Sequence, residues 1–321
     1  MPPDDSAELV RGVLAGDAKA IAATLERVED VRPGALSAQR ELLRELEAQT
    51  PAAHTSVGLT GPPGAGKSTL AGALIRHWLG VGAGVGMTAI DPSSRRSGGA
   101  LLGDRARLRF TPDEPVFVRS MAARDRLGGL APATRAAVVA LRAAFDWTLV
   151  ETVGVGQSEI DVASVVDSVV LVLQPGSGDT LQFMKAGILE IPDVLVVHKW
   201  DLGAEAERTL GDLQSMLSLV PRSGSSWSPP ALGVSAETGH GVAELADTLA
   251  AHRAHLDASG ELAAHRTAAR TAWAMELFER RFGTLGLERV GGTGAARARI
   301  EAAEGTALDA YEALSAEANL D

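Results

Sequence analysis

The sequence predicts an α/β protein with a mostly parallel sheet and helical extensions at both ends. Short β-branched apolar runs recur between residues 55 and 256, helical stretches separate them, and no such run follows residue 257. Runs that are apolar on both sides are typical of parallel strands covered by helices on both faces. We therefore expect a helical N-terminal extension (1–54), an α/β domain (55–256) and a helical C-terminal arm (257–321).

The elements can be predicted in chain order. Residues 6–50 show helical spacing of apolar residues and predict two or three amphipathic helices, with "PGALS" as a break. The C-terminal arm predicts two helices, "ELAAHRTAARTAWAMELFERRF" and "AARARIEAAEGTALDAYEALSAEA", separated by the glycine-rich "GTLGLERVGGTG". The predicted strands are "SVGLT" (56–60), "VGMTAI" (85–90), "WTLVET" (147–152), "SVVLVL" (168–173), "DVLVVH" (193–198) and "ALGVSA" (231–236).

Composition excludes several classes of protein. The net charge of −11 argues against a nucleic-acid binder, because such proteins neutralise several phosphates with a basic face. The absence of cysteine excludes disulfides, thiolate metal ligands and cysteine nucleophiles. The acidic N-terminus lacks the apolar core of a signal peptide, and no apolar run reaches 18 residues, so we expect no membrane span and a cytoplasmic location.

Lysine usage singles out a few positions. The chain has 30 basic residues, but only Lys19, Lys67, Lys185 and Lys199 are lysines. A lysine retained in an arginine-rich chain indicates a need for a compact ammonium group, which a planar guanidinium cannot replace.

The stretch "GLTGPPGAGKSTL" follows the first predicted strand and begins a helix. It contains Gly61-x-x-x-x-Gly66-Lys67-Ser68, the P-loop pattern in the required context, and predicts a P-loop NTPase core. We expect backbone N–H groups and the helix N-terminus to bind phosphates, Lys67 to reach the outer phosphates and the Ser68 hydroxyl to bind Mg²⁺. The predicted phosphate-binding residues are Gly61, Pro62, Pro63, Gly64, Ala65, Gly66, Lys67, Ser68 and Thr69.

Carboxylates near the predicted strand ends are candidate metal ligands beside Ser68. Asp91 and Glu151 lie at the ends of two strands, and Asp104 follows in a loop. The carboxyl edge of a parallel sheet lies beside the P-loop, where such side chains can hold Mg²⁺ or its waters. The alternative for the two aspartates is that they cap a turn or a helix.

Two later segments predict a purine-reading site. "HKWD" (198–201) and "SAETG" (235–239) each follow a predicted strand, although both could be ordinary turns. The Asp201 carboxylate can accept two hydrogen bonds from guanine, whereas adenine presents the opposite pattern. His198 stands where asparagine is usual and can donate one hydrogen bond, while the Ala236 N–H is expected to donate to the exocyclic oxygen. The predicted base-contacting residues are His198, Lys199, Asp201, Ser235, Ala236 and Glu237.

Together, "GPPGAGKST", "DPSSRRSGGALLGD", "ETVGVGQSE", "GSGDTLQFMKAGILEIPDV" and "SAETG" resemble the MeaB/ArgK/MMAA family of GTPases, in the SIMIBI class. The match covers about residues 55–256. The resemblance implies a G-protein chaperone that uses GTP to gate cofactor loading and to protect an adenosylcobalamin-dependent acyl-CoA mutase, such as methylmalonyl-CoA mutase. It also implies a homodimer formed through the C-terminal arm.

The resemblance also implies two switch segments. "ETVG" resembles the Asp-x-x-Gly switch with glutamate for aspartate, so that the Gly154 N–H can sense a γ-phosphate. A further switch loop would contain Asp179, Gln182 and Lys185, and the alternative for Lys185 is that it begins a solvated helix face.

For catalysis we expect Lys67, Glu151 and Gln157 to take part, with Mg²⁺ and Lys67 neutralising charge while water attacks in line. Gln157 or a residue supplied by the partner would position that water, so turnover should be slow without the partner. Arg95, Arg96 and Arg105 border the switch and could also contribute.

Three alternatives remain. A P-loop kinase would need an acceptor pocket rather than a guanine reader. A metal-delivery GTPase would call for a histidine- or cysteine-rich segment, whereas the seven histidines here are scattered and only His252 and His255 lie close together. A scaffold would bind nucleotide in order to dimerise without turnover. The chain also lacks an Asp-x-His-x-x-Gly motif, so we expect it not to hold cobalamin in that way.

Overall fold

The computed structural model describes residues 4–30, 32, 34–91, 110–111, 113–122, 132–152, 161–176, 190–218 and 226–318. Within these ranges the chain forms two compact units. The α/β unit comprises Ala53–Ala131 and Phe145–Ser259, and the helical unit comprises Met1–Ala52, Pro132–Ala144 and Gly260–Asp321.

The α/β unit is built on one parallel sheet with the strand order β3-β2-β4-β1-β5-β6-β7. The predicted α/β fold with a P-loop core is therefore confirmed. Its described strands are β1 (Thr55–Thr60), β2 (Val85–Asp91), β3 (Val116–Ala122), β4 (Trp147–Glu151), β5 (Ser168–Leu173), β6 (Val194–His198) and β7 (Ala231–Val234).

Helices accompany the strands and the two chain ends. The described α-helices are α1 (Asp4–Leu14), α2 (Ala18–Val28), α3 (Ala35–Gln49), α4 (Lys67–Gly80), α5 (Pro132–Ala144), α6 (Ala204–Leu217), α7 (Val242–Ser259), α8 (Glu261–Arg289), α9 (Thr293–Ala302) and α10 (Ala307–Ala318). None of the helices in the described ranges is long and apolar enough to span a membrane.

The sheet is covered on both faces, which explains its continuous apolar runs. In β5, Val170 and Val172 pack in the same cluster as α4 and α7. The intervening Leu171 and Leu173 pack against Leu213 of α6. Because alternate residues of a strand point to opposite faces, each residue of such a central strand has to be apolar or small. All six residues of β1 and of β5 are buried.

Five of the six predicted strands appear within about one residue of their expected bounds, and β7 ends two residues early, at Val234. The prediction missed β3, whose sequence is "VFVRSMA". This strand pairs only with β2 among the described strands and forms one edge of the sheet. An edge strand needs less apolar surface, and Arg119 and Ser120 hide the strand signal.

The helical unit joins both ends of the chain with α5. Three helices form in the described part of the N-terminal extension, where residues 15–17 separate α1 from α2. The Asp17 side chain accepts a hydrogen bond from the Ala20 N–H at 2.8 Å. Such a cap satisfies an N–H group that has no partner within the helix. Although α5 lies within residues 55–256, it packs against α1, α2, α3 and α8.

The C-terminal arm differs from the predicted two helices. The helix α8 does not end at Gly283, which was expected to begin a break, but kinks there with φ 60° and ψ −157° and continues to Arg289. Gly291 and Gly292 make the actual break. The second predicted helix is interrupted before Thr306, which gives α9 and α10.

Candidate nucleotide-binding site

The loop between β1 and α4 has a backbone that only glycine adopts easily. Gly61, Gly64 and Gly66 have φ values of 135°, 79° and 93°. A Cβ on Gly61 would overlap the Val172 carbonyl, and one on Gly66 would overlap the His198 ring. Both the curvature of the loop and its packing against the neighbouring strands therefore require these glycines.

Lys67 lies at the start of α4 and is 6% exposed. Its ammonium donates hydrogen bonds to the carbonyls of Gly61 at 2.7 Å and Pro62 at 3.0 Å. The positive charge is thereby held against the inner side of the glycine loop, beside the N-terminus of α4, whose dipole also favours an anion.

Two of the predicted magnesium ligands are in contact. The Ser68 hydroxyl donates a hydrogen bond to Glu151 Oε1 at 2.5 Å. This contact follows from the sheet, because Glu151 ends β4 in register with Leu59 of β1, just before the loop. A hydroxyl and a carboxylate supply the oxygen ligands that Mg²⁺ prefers, so the residues present fit that ion.

Other predicted metal and switch residues lie outside the described residues or only partly within them. Asp91 ends β2 at the same edge of the sheet as Glu151, but its side chain lies outside the described part. The residues wholly outside are Arg95, Arg96, Asp104, Arg105, Gly154, Gln157, Asp179, Gln182 and Lys185. In the ranges that the structure covers, no group of three or more His, Asp or Glu side chains forms a metal site.

The segment after β6 contacts the phosphate loop through Lys199. Lys199 has a φ of 58° and is the one non-glycine residue with positive φ in the described part of the chain. Its ammonium donates to the Gly64 carbonyl and to Gln174 Oε1, both at 2.9 Å. A backbone strained in this way typically marks a functional segment.

Asp201 is fixed by the loop that follows β7. Its Oδ1 accepts a hydrogen bond from the Ser235 hydroxyl at 2.6 Å. This hydrogen bond, with smaller effects from backbone, His198 and Lys199, lowers the pKa of Asp201 below its usual value. The carboxylate is therefore ionised at neutral pH and acts as an acceptor only.

His198 lies between the phosphate loop and the loop after β7, and it is 4% exposed. Its Nδ1 is 2.9 Å from the Ala65 carbonyl, which only accepts, so we assign the proton to Nδ1. Its Nε2 accepts from the Ala236 N–H at 3.3 Å. Burial lowers the pKa of His198, and Lys199 adds to this, outweighing the opposite effects of the Ala65 hydrogen bond and Asp201.

These contacts extend the sequence expectations. The single donated hydrogen bond predicted for His198 goes to the Ala65 carbonyl, and the Ala236 N–H predicted for the base is hydrogen-bonded to His198. Of the remaining predicted residues, Pro63, Thr69 and Glu237 are exposed. Gln174 was not predicted, although its position directly after a fully buried strand is a signal that could have found it.

This arrangement is that of a P-loop GTPase. At the carboxyl edge of a parallel sheet lie a glycine loop with a buried lysine, a serine–carboxylate pair and the aspartate that the sequence predicts to contact the base. The family model "Methylmalonyl Co-A mutase-associated GTPase MeaB" matches residues 19–285. The chain belongs to this MeaB family of GTPases.

Curated relatives agree with this assignment. A putative GTPase of Pyrococcus horikoshii is 43% identical, with 83% of each chain covered. The GTPase ArgK of Escherichia coli is 33% identical, with 83% of this chain and 82% of the relative covered. A mouse protein named "Methylmalonic aciduria type A homolog, mitochondrial" is 40% identical, with 76% of this chain and 59% of the relative covered.

Solved structures show the same fold. A structure titled "LAO/AO transport system kinase" has a TM-score of 0.73 and 25% identity, covering 94% of this chain and 91% of its own. HypB from Helicobacter pylori, in complex with nickel, has a TM-score of 0.50 and 13% identity, covering 68% of this chain and 94% of its own, which is a likeness of fold alone.

Proposed function

We propose that this GTPase acts as a chaperone of an adenosylcobalamin-dependent acyl-CoA mutase of the methylmalonyl-CoA mutase type. GTP binding and hydrolysis would gate cofactor loading and protect the mutase from inactivation. The family match over residues 19–285 carries this proposal, because the family is named for its association with methylmalonyl-CoA mutase. The name of the mouse relative points to the same metabolism.

Hydrolysis would use the groups at the carboxyl edge of the sheet. Lys67 and the N–H groups of the glycine loop would hold the phosphates, while Asp201, Lys199 and Ala236 would hold guanine. Mg²⁺ bound by Ser68, with Glu151 as a second ligand or as acceptor from a metal-bound water, would neutralise charge on the phosphate oxygens. Asp91 and Asp104 are the further proposed metal ligands.

The attacking water would be positioned by Gln157 or by a residue of the partner, and Gly154, Asp179, Gln182 and Lys185 would report the state of the γ-phosphate. If the partner completes the site, GTP hydrolysis is slow without the partner, and the mutase should raise the rate.

The proposal includes a cytoplasmic homodimer formed through residues 257–321, for which the support is the helical character of this arm.

The experiment is a pull-down from native extract with GDP or with a non-hydrolysable GTP analogue. We expect an acyl-CoA mutase to be recovered in amounts that depend on the nucleotide, and the purified mutase to accelerate phosphate release. Asp201→Ala is the variant that should lose this dependence, and Asp212→Ala, an exposed carboxylate on α6, is the matched control. Recovery of a hydrogenase or urease component in place of a mutase would refute the proposal.

A phosphate-release assay without any added acceptor separates GTP hydrolysis from a kinase reaction. Retained GTP binding with no phosphate release beside the mutase would indicate a scaffold rather than a chaperone that uses hydrolysis.

A further inference from the structure

His198 contacts both loops of the nucleotide site with its two ring nitrogens. Nδ1 donates to the Ala65 carbonyl and Nε2 accepts from the Ala236 N–H. The ring also lies so close to Gly66 that a Cβ there would overlap it. Position and tautomer are therefore both fixed, and the ring is neutral with its lone pair at Nε2 directed to the base-reading loop.

Guanine changes the hydrogen bonding at that nitrogen. Its O6 and N7 lie side by side and are both acceptors. If the Ala236 N–H donates to O6, this oxygen lies about 3 Å from the Ala236 backbone nitrogen. Nε2 lies 3.3 Å from the same nitrogen. Nε2 would then lose the Ala236 N–H as its hydrogen-bond donor and would face guanine O6, which is also an acceptor. A buried acceptor without a donor is unfavourable.

We propose that His198 takes up a proton when a guanine nucleotide binds. The imidazolium keeps the Nδ1–H bond to the Ala65 carbonyl and donates Nε2–H to the O6/N7 edge of guanine. His198 is thereby a specificity-determining residue, and this role rests on the proposed contact of guanine with Ala236.

Adenine presents a different hydrogen-bonding pattern to the same ring. Adenine presents a 6-amino donor beside its N7 acceptor, and this donor matches the lone pair of neutral Nε2. The neutral ring thus favours adenine at this edge and the imidazolium favours guanine. The preference for guanine should therefore increase as pH falls.

The charges around the ring affect the pH at which His198 takes up the proton. Asp201 favours the imidazolium and Lys199 opposes it. The ring also contacts the phosphate loop at Ala65 and the loop after β7 at Ala236. The charged residues nearest to these contacts in sequence are Lys67, in the first turn of α4, and Glu237. In the free protein burial keeps the pKa of His198 below its usual value of 6.5, so the ring is neutral at pH 7.

Proton uptake means that the pKa of His198 is higher in the complex than in the free protein. Affinity for guanine nucleotide is then greatest below the pKa of the free protein and falls as pH rises through the pKa of the complex. Between the two pKa values the decrease approaches tenfold per pH unit.

The test is calorimetry of GDP binding to the full-length, magnesium-loaded protein in two buffers with different ionisation enthalpies, which counts the protons taken up. His198→Asn is the comparison, because a carboxamide donates at every pH. Ionisation of the GDP phosphate is common to both proteins and cancels. We expect excess uptake approaching one proton in the wild type, and a wild-type ratio of GDP to ADP affinity that increases toward low pH.

A second measurement needs only the wild-type chain. Nitrogen NMR of the seven histidine rings should show one ring change from neutral, with Nδ1 protonated, to imidazolium when GDP is added at pH 7. Equal proton uptake in both proteins, or a complex in which no ring becomes imidazolium, refutes the proposal alone. Failure to bind GDP at any pH would overturn the GTP-binding assignment on which it rests.

Discussion

Single hydrogen bonds between loops hold the side chains that we propose contact the nucleotide. Asp201 follows β6 and Ser235 follows β7, yet their side chains are joined at 2.6 Å. Lys199 similarly joins the Gly64 carbonyl to Gln174. Sequence motifs predicted Lys67, Ser68, Glu151 and Asp201, because each occurs at a fixed distance from a strand end. The part played by Gln174 was not predicted, because it depends on which strands lie side by side in the folded sheet.

Replacing Asp201 with alanine should remove the preference for GTP over ATP. The carboxylate would accept two hydrogen bonds from guanine, and leaving those donors unpaired costs about 1–3 kcal/mol, or roughly tenfold to a hundredfold in affinity. Calorimetry with both nucleotides in the presence of Mg²⁺ measures the ratio. Asp212→Ala should leave it unchanged, and an unchanged ratio in Asp201→Ala would contradict the proposed base site.

Replacing Gly66 with alanine should abolish nucleotide binding, because the new Cβ would displace the His198 ring. Gly82→Ala is the matched control. Gly82 also has a positive φ, of 84°, but a Cβ there would meet no atom within 4 Å. Both variants lose roughly 1–2 kcal/mol of stability from the left-handed backbone. Only Gly66→Ala should also lose GDP binding in calorimetry, and equal binding by the two would show that the overlap is harmless.

Elements were predictable where one local signal dominated. The strands β1, β5 and β6 are buried along their whole length and consist mostly of apolar or small residues, so the sequence locates them closely. The edge strand β3 was missed because its polar residues remove that signal. Gly283 was expected to break the C-terminal arm, but α8 absorbs it as a kink. Whether a glycine ends a helix or only bends it depends on packing farther along the chain.

The start of α10 shows how a cap and ion pairs combine within the helical unit. The Asp309 carboxylate accepts hydrogen bonds from the N–H and hydroxyl of Thr306 at 2.8 Å each, and the Thr306 hydroxyl accepts from the Asp309 N–H. This reciprocal pattern is a capping box. Asp309 also pairs with Arg44 and Arg40 of α3, so one carboxylate joins the two chain ends.

Asp309→Ala should therefore destabilise the helical unit by about 1–3 kcal/mol, since it removes both the cap and the ion pairs. Asp309→Asn keeps an acceptor for the cap and should cost about 1 kcal/mol or less. Urea unfolding at pH 7 measures both. Glu312→Gln, which removes an exposed partner of Arg40, should cost less than 1 kcal/mol. Equal effects of Ala and Asn would show that the cap contributes little.

The same carboxylate predicts an acid dependence. Burial alone would raise the pKa of Asp309, but hydrogen bonds from Arg44 and Thr306 outweigh it and lower the pKa below its usual value of 3.8. The stabilisation from Asp309 is thus fully present above the pKa of the unfolded chain and is lost as pH falls through the lower pKa of the folded protein. In urea unfolding followed from pH 6 to pH 3, the difference between wild type and Asp309→Asn should shrink toward the acid end. A constant difference would contradict this origin.

For the whole molecule, the two helical extensions are one structural unit, although more than 200 residues of sequence separate them. Arg44 of α3 pairs with Asp309 of α10, and Arg135 of α5 lies 3.6 Å from Glu276 of α8. A sequence pattern indicates that each end is helical, but it does not show which helices pack against each other. This is why an N-terminal extension and a C-terminal arm were predicted as separate regions.

Deleting residues 261–321 should therefore do more than remove a dimerisation arm. Because α3 and α5 lose their partners in α8 and α10, amide protection across α1–α3 should fall by at least tenfold in hydrogen exchange. This corresponds to a decrease of about 1.4 kcal/mol in the free energy of local opening. Full-length Asp309→Asn, in which α8 and α10 remain, should keep most of that protection. Unchanged protection of α1–α3 in the deleted protein would show that the N-terminal helices are stable without the arm, and the deletion could then be used as a clean test of dimerisation.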